Sequence, residues 1–254
     1  MDKGTAISHY FSRSYNLPFV PFSASHGGAI AVIVAACAAL AIWLRRADLA
    51  PRRREFIRHV LATFALLNVI IWYVWEWNVG LSSWAYSLPL QICTAATILC
   101  PLMLWWRSYR LFEIVYFWGF AGATQALLTP DIGPYDFPHF VFITFFTSHG
   151  SIFLCLVFML VAERYRPRWS SIGRVLLVTL GCLVLAGLAN WLTGGNYMYL
   201  AYKPDIPTLI DALGPWPWYI FGLIGLGAAA FVIVYLPFAV RDWLVQLRRR
   251  VSAV

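Results

Sequence analysis

Residues 139–162 read HFVFITFFTSHGSIFLCLVFMLVA, 24 residues without one Asp, Glu, Lys or Arg. At a rise of about 1.5 Å per residue, a helix of this stretch spans roughly 36 Å, more than the ~30 Å hydrocarbon core of a bilayer. Near its midpoint stands His149, between Ser148 and Gly150. A titratable imidazole at bilayer depth is costly unless it faces protein or water, which makes His149 the first candidate functional residue. The plainer alternative is an interhelical hydrogen bond and nothing more.

The rest of the chain agrees with a membrane setting. It is 61% hydrophobic and only 12% charged, with mean hydropathy +0.70; a soluble domain carries about 25% charged residues. Seven apolar runs follow one another, at 27–44, 57–78, 88–106, 111–129, 139–162, 172–193 and 215–240. They predict an all-α polytopic membrane protein of seven transmembrane helices, one bundle over residues 26–243. A polar and aromatic segment, 1–25, precedes the bundle and a basic tail, 244–254, follows it. The connection around Arg107–Arg110 is short enough to make the third and fourth helices antiparallel neighbours. The five cysteines all fall inside proposed spans and form no CxxC pair, which argues against a disulfide framework, a metal site or a cofactor built on thiolates.

The net charge of +8 is explained by where the arginines stand. Sixteen of the 19 basic residues follow the first, third, fifth and seventh runs, and only Lys3, Arg13 and Lys203 lie on the other side. By the positive-inside rule this predicts an N-terminus outside, a C-terminus in the cytoplasm and a multi-pass location in the plasma (inner) membrane. Arginines so placed are topology signals and contacts to anionic headgroups, so the expected partners are membrane lipids and not nucleic acid. The pattern leaves the oligomeric state open. Trp72, Trp75, Trp77, Trp84, Trp216 and Trp218 stand near outer ends of spans, as an interfacial aromatic belt requires.

In that orientation the intramembrane polar residues gather in the outer half. Asn68, Trp72 and Glu76 form an i, i+4, i+8 stripe on the second span. Gln91 and Cys93 lie near the outer start of the third, Gln125 at the outer end of the fourth, Asn190 at that of the sixth, and His26 opens the first. The asymmetry predicts a polar cavity opening outward, with His149 at its floor. Cys93 is the candidate nucleophile and Gln91, Gln125 and Asn190 the candidate oxyanion donors. Each has a bland alternative, a core cysteine or interhelical hydrogen bonding. From the run boundaries Cys93 lies about 8 Å and His149 about 16 Å below the outer surface. The outer loops add Asn196, Tyr197 and Lys203, from GGNYMYLAYKP (194–204), and Trp216, from GPWPW (214–218). Lys203 either holds a phosphate or carboxylate or pairs with Asp205 or Asp211.

Leu88-Pro89-Leu90-Gln91-Ile92-Cys93, Ala126–Asp131, His149-Gly150, Asn196–Leu200 with Lys203-Pro204, and Gly214–Tyr219 together resemble the bacterial YwaF-type integral membrane proteins, a group related to the eukaryotic transmembrane protein 164 family. The resemblance covers about residues 18–240. It implies, from the eukaryotic relatives, a lipid acyltransferase using a membrane cysteine and a histidine on a later helix; His149 matches that histidine. Leu90 stands where those relatives carry the cysteine, and Cys93 lies about one turn further along. Gln91 stands where many bacterial relatives carry histidine. The expected function is therefore lipid acyl transfer or hydrolysis with His149 as general base. The alternative is a non-catalytic carrier or sensor binding a lipid or small metabolite.

Overall fold

The computed structural model describes residues 9–15, 17–47, 49–204 and 209–251. Lys3, Asp205 and parts of the proposed terminal segments lie outside these residues. The elements are α1 (Ala24–Arg46), α2 (Pro51–Asn78), α3 (Ile92–Trp106), α4 (Tyr109–Phe117), a π-helical turn (Trp118–Ala123), α5 (Thr124–Leu128), α6 (Phe140–Val161), α7 (Trp169–Thr193) and α8 (Trp218–Val251). Short 3-10 turns occupy Tyr197–Tyr199 and Leu209–Leu213.

Among the described residues, six helical segments are long and apolar enough to cross a membrane; α4, the π turn and α5 together make one of them. The third apolar run differs from expectation. Of residues 88–106 only Ile92–Trp106 is helical, 15 residues, about 22 Å and short of a hydrocarbon core. The cause lies at its outer end, where Leu90 N–H turns back onto the Leu88 carbonyl (2.8 Å) and Leu88 N–H donates to the Tyr197 hydroxyl (2.9 Å). At its other end α3 stops at Arg107, in left-handed backbone (φ 48°), and Ser108 caps α4 by accepting from Leu111 N–H. This two-residue joint makes α3 and α4 neighbours, as the short connection predicts.

Helix α6, the uncharged stretch, is the central rod. It touches α1, α2, α3, α4 and the π turn. Ile152, Leu156, Phe158 and Met159 on it are fully buried, with Phe112, Val115 and Phe117 on α4 and Met103 and Leu104 on α3. Gly119 sets the spacing: a Cβ there would stand 2.8 Å from both Ile152 and Leu156 side-chain carbons. On the periphery, Leu177, Val184 and Trp191 of α7 are 70%, 72% and 80% exposed. Such a surface suits lipid, because the only cheap solvent for it is hydrocarbon.

The described part of the N-terminal segment is a packed clasp over the end of the bundle where α2 finishes and α6 starts. Trp75 Nε1–H donates to the Phe11 carbonyl (2.9 Å), Phe140 N–H to the Tyr10 carbonyl (3.0 Å) and Asp136 N–H to the Leu17 carbonyl (2.9 Å). Trp75 is thus buried under the clasp and is not part of an interfacial belt. His139 is not the first residue of a spanning helix but the N-cap of α6: its Nδ1 accepts from Val141 N–H (3.1 Å) and Nε2–H donates to the Ser12 carbonyl (3.1 Å). At the opposite, arginine-bearing end, Glu113 is buried and receives hydrogen bonds from Arg174 and the Ser171 hydroxyl.

The cap at His139 makes stability depend on pH. Burial holds its pKa below the ordinary value of 6.5, helped by His9 and opposed by the Ser12 carbonyl. A histidine whose folded pKa is depressed binds more protons when unfolded. Its contribution is therefore complete above pH ~6.5 and is lost as pH falls below it. Thermal unfolding of the purified protein is expected to shift downward between pH ~7.5 and ~5.5. In His139→Asn, which keeps a cap acceptor without a titrating ring, this part of the shift disappears.

Candidate functional site

The site is best built from α3. Cys93 is the second residue of that helix, and Gln91, its N-cap, places no side-chain acceptor on the first turn. The Ile92, Cys93 and Thr94 N–H groups have no partner among the described residues. An uncapped helix start is a positive end where negative charge is stabilised. The Gln91 side chain is turned outward: its Oε1 accepts from Met198 N–H (3.1 Å), while its Nε2 has no partner among the described residues.

The outer loop that Gln91 holds is tied down throughout. Asn190 is spent on it, donating Nδ2–H to the Tyr197 carbonyl (3.0 Å) and accepting from Tyr197 N–H (2.7 Å). Tyr197 is buried, and its hydroxyl donates to the Trp84 carbonyl (2.8 Å). Asn196 Oδ1 accepts from Ala201 and Tyr202 N–H, and its Nδ2–H donates to the Tyr202 carbonyl (2.8 Å). Tyr219 hydroxyl donates to the Tyr199 carbonyl (2.7 Å) and Trp216 Nε1–H to the Leu200 carbonyl (3.1 Å). Lys203 lies 5.6 Å over the Tyr219 ring and 3.8 Å from Asp211 Oδ1. Despite this support, Met198 and Tyr199 are both left-handed, with φ 56° and 54°. Non-glycine residues hold such backbone at a cost of order 1 kcal/mol or more, and such strain gathers at functional sites.

Tyr199 is the residue that sequence reasoning missed. Its hydroxyl donates to Asp131 Oδ2 (3.0 Å), and it lies near enough to Cys93 to interact with it electrostatically. Burial first, and then the Asp131 carboxylate, hold its phenol above the ordinary range. The loop sequence contained Tyr199 and Asp131, but no spacing linked two residues 68 positions apart.

His149 approaches from α6. Its Nδ1–H donates to the Phe145 carbonyl (2.8 Å); since a carbonyl only accepts, this fixes the tautomer and leaves Nε2 as a lone-pair acceptor. Nε2 has no hydrogen-bond partner among the described residues. Gly150 beside it admits α1, a Cβ there lying 3.1 Å from Ile33. One turn inward on the same stripe, Phe153 meets Phe120 of the π turn at 5.6 Å. Two residues outward from Phe120, Gly122 faces Cys93: a Cβ there would lie 3.9 Å from the sulfur. The π turn thus packs against α3 at Cys93 and against α6 at Phe153, one helical turn along from His149. No hydrogen bond joins Cys93 to His149. π-Helical turns inside helices are frequently functional.

The remaining candidates stand apart. Both His26 nitrogens are engaged: Nδ1 accepts from Phe22 N–H (2.8 Å) and Nε2–H donates to the Leu127 carbonyl (2.7 Å). Asn68 Oδ1 accepts from the Thr147 hydroxyl (2.6 Å), tying α2 to α6. Exposed Gln125 donates to the Thr129 hydroxyl (2.9 Å). Glu76 is buried beneath the loop, near Tyr197 and Ser87, with Oε2 unpartnered.

Apolar helices of spanning length around a buried helical core define a multi-pass membrane protein. Within that class the chain is a member of the TMEM164 family, whose family model matches residues 21–235. No curated protein and no solved structure matches it.

The loop's seat depends on Gly195, where a Cβ would stand 2.5 Å from the Ala85 carbonyl oxygen. Gly195→Ala is expected to lift the 194–203 loop and lower stability by about 1–3 kcal/mol. Gly181→Ala, with open space around it, is the neutral control in thermal unfolding, and protease cutting within 194–203 reports the lifted loop.

Proposed function

We propose that this protein is a membrane-embedded lipid acyltransferase or lipid hydrolase, with Cys93 as nucleophile and His149 as general base. The observation that carries this reading is the uncapped first turn of α3, which offers a thiol and free N–H groups together under a strained loop. The tautomer of His149 supports it, because Nε2 is the nitrogen that must take a proton. The eukaryotic chemistry implied by the family resemblance points the same way.

In this mechanism Nε2 of His149 takes the Cys93 thiol proton as sulfur attacks the carbonyl carbon of an acyl ester. The oxyanion is received by the Ile92–Thr94 N–H groups, with Gln91 Nε2 in reach of the same turn. Collapse breaks the ester C–O bond, and the imidazolium returns its proton to the departing alkoxide, releasing a lysolipid alcohol. An acceptor hydroxyl or amine, or water, then attacks the thioester carbonyl while His149 takes its proton; collapse breaks the C–S bond, and the imidazolium returns the proton to the departing Cys93 thiolate. Cys93 and His149 must close on the bound ester, since catalytic hydrogen bonds often form only in the substrate complex. Movement of the Met198–Tyr199 loop opens the outward cavity.

The full topology belongs to the same proposal: α3 completes a seventh crossing, the N-terminus is outside, the C-terminus cytoplasmic, and the protein sits in the plasma membrane. The lack of a Cys93–His149 hydrogen bond favours the second reading, a non-catalytic lipid carrier or sensor using the same outer pocket.

Reconstitution with a phospholipid carrying a labelled acyl chain separates the two. The enzyme reading expects label on the protein as a hydroxylamine-labile thioester, lost in Cys93→Ala. His149→Ala is expected to slow turnover by about 10²–10⁴-fold. Turnover unchanged in both variants at equal protein levels excludes the mechanism. Lipid that copurifies intact with the wild type and never turns over selects the carrier.

A further inference from the structure

At the arginine-bearing end, where the start of α2 meets the ends of α3 and α6, lies a cavity of about 250 Å³ lined by Pro51, Arg54, Glu55, Arg58, Arg107 and Glu163. It is remote in the fold from the Cys93 and His149 cluster, and nothing above uses it. Its charges do not balance. Three guanidiniums face two carboxylates, leaving one positive charge in excess. Glu163, nearly buried, is taken by Arg107 Nη2 at 2.6 Å. Glu55 is 61% exposed; it accepts from Arg58 Nη2 at 3.3 Å and lies 3.8 Å from His59 Nε2. Arg54 has no ion-pair partner among the described residues. Arg58 is only 8% exposed, yet its Nε has no hydrogen-bond partner among the described residues. A buried guanidinium N–H left unpaired costs stability of the order of 1–3 kcal/mol unless something accepts from it.

The local sequence compounds the imbalance. Helix α2 opens Pro51-Arg52-Arg53-Arg54, with no acidic residue in its first turn and no side-chain cap. A helix N-terminus is already a positive end. Three arginines placed there repel it, and an anion in front of the turn reverses the sign of that interaction. Arginine forks match phosphate oxygens in pairs, which lysine cannot do. The volume corresponds to roughly eight waters at ~30 Å³ each, room for a phosphate and the start of a headgroup.

We propose that this cavity is a phosphate-binding site, in which Arg54, the guanidinium of Arg58 and the first turn of α2 hold a phosphate group carried by a lipid headgroup or free in solution. Arg107 stays with Glu163 and shapes the wall. The site is independent of the proposed acyl chemistry at the other end of the bundle.

The test uses the full chain in phosphatidylcholine nanodiscs. One arm adds phosphatidic acid to the discs and counts retained lipid by native mass spectrometry. The other titrates inorganic phosphate into discs without it and reads thermal unfolding. Retention or stabilisation in either arm, weakened about tenfold in Arg54→Gln, supports the site; which arm responds names the source. Arg54 is exposed, so this variant leaves the packing intact. Arg58→Lys, which keeps the charge but removes the guanidinium fork, is expected to weaken the same arm. Arg45→Gln, an exposed arginine on the same face outside the cavity, is expected to change nothing. No response in either arm overturns the proposal. So does equal weakening by Arg54→Gln and Arg45→Gln, because bulk charge would then be the whole effect.

Discussion

The close approach of Gly119 to α6 is the contact on which the rest of the bundle depends. A Cβ there would stand 2.8 Å from the Ile152 and Leu156 side chains, so any other residue must displace those side chains from the crossing. Helices in lipid gain little from burying apolar groups against each other, so close backbone packing over small residues has to hold them. From that crossing the neighbouring contacts follow in register: Phe120 on Phe153, Gly122 against Cys93, and His149 one turn outward of Phe153. The π turn rotates the chain there, so that the rod reaches α3 on one side and α6 on the other.

The two ends of the molecule solve the same problem differently. Backbone polar groups at a membrane boundary need partners, and at the outer end the loops supply them to each other. Tyr197, Asn190, Asn196 and Gln91 mostly serve main-chain groups, while Tyr10, Phe11 and Leu17 bind the start of α6, the end of α2 and the loop before α6. At the other end the partners are charges. Glu113 with Arg174 and Glu163 with Arg107 are closed pairs, whereas Arg58 meets only the exposed Glu55 and Arg54 has no ion-pair partner among the described residues. The first arrangement stiffens a surface that a substrate would have to open. The second leaves a positive cavity, in which an anion is more stable than solvent alone.

Much of this was legible from the chain. The absence of charge over 139–162 identified the central helix, and the six spanning segments lie where hydropathy put them. The short connection around Arg107–Arg110 foretold the tight α3–α4 joint. The family was readable too, from short motifs at the outer ends. Other features escaped. The third run was apolar from residue 88, but hydropathy does not register that Leu88 N–H is claimed by Tyr197. Trp75 and His139 had the composition of interfacial residues, and only the clasp made them structural. His26 and His149 looked alike, each between a serine and a glycine; the hydrogen bonds that engage both nitrogens of one and a single nitrogen of the other come from distant backbone.

What the sequence determined by itself is the solvent and the class of fold, because transfer of long apolar segments into lipid depends on composition and length alone. Its arginine placement likewise limits which ends can share a side. The tertiary structure decided which polar residues are spent and which remain available. It joined Tyr199 to Asp131, turned Gln91 toward Met198 and left Arg58 Nε without a hydrogen-bond partner among the described residues. Each of these depends on directional contacts of a few ångströms between residues far apart in the chain, and no local pattern encodes such a distance.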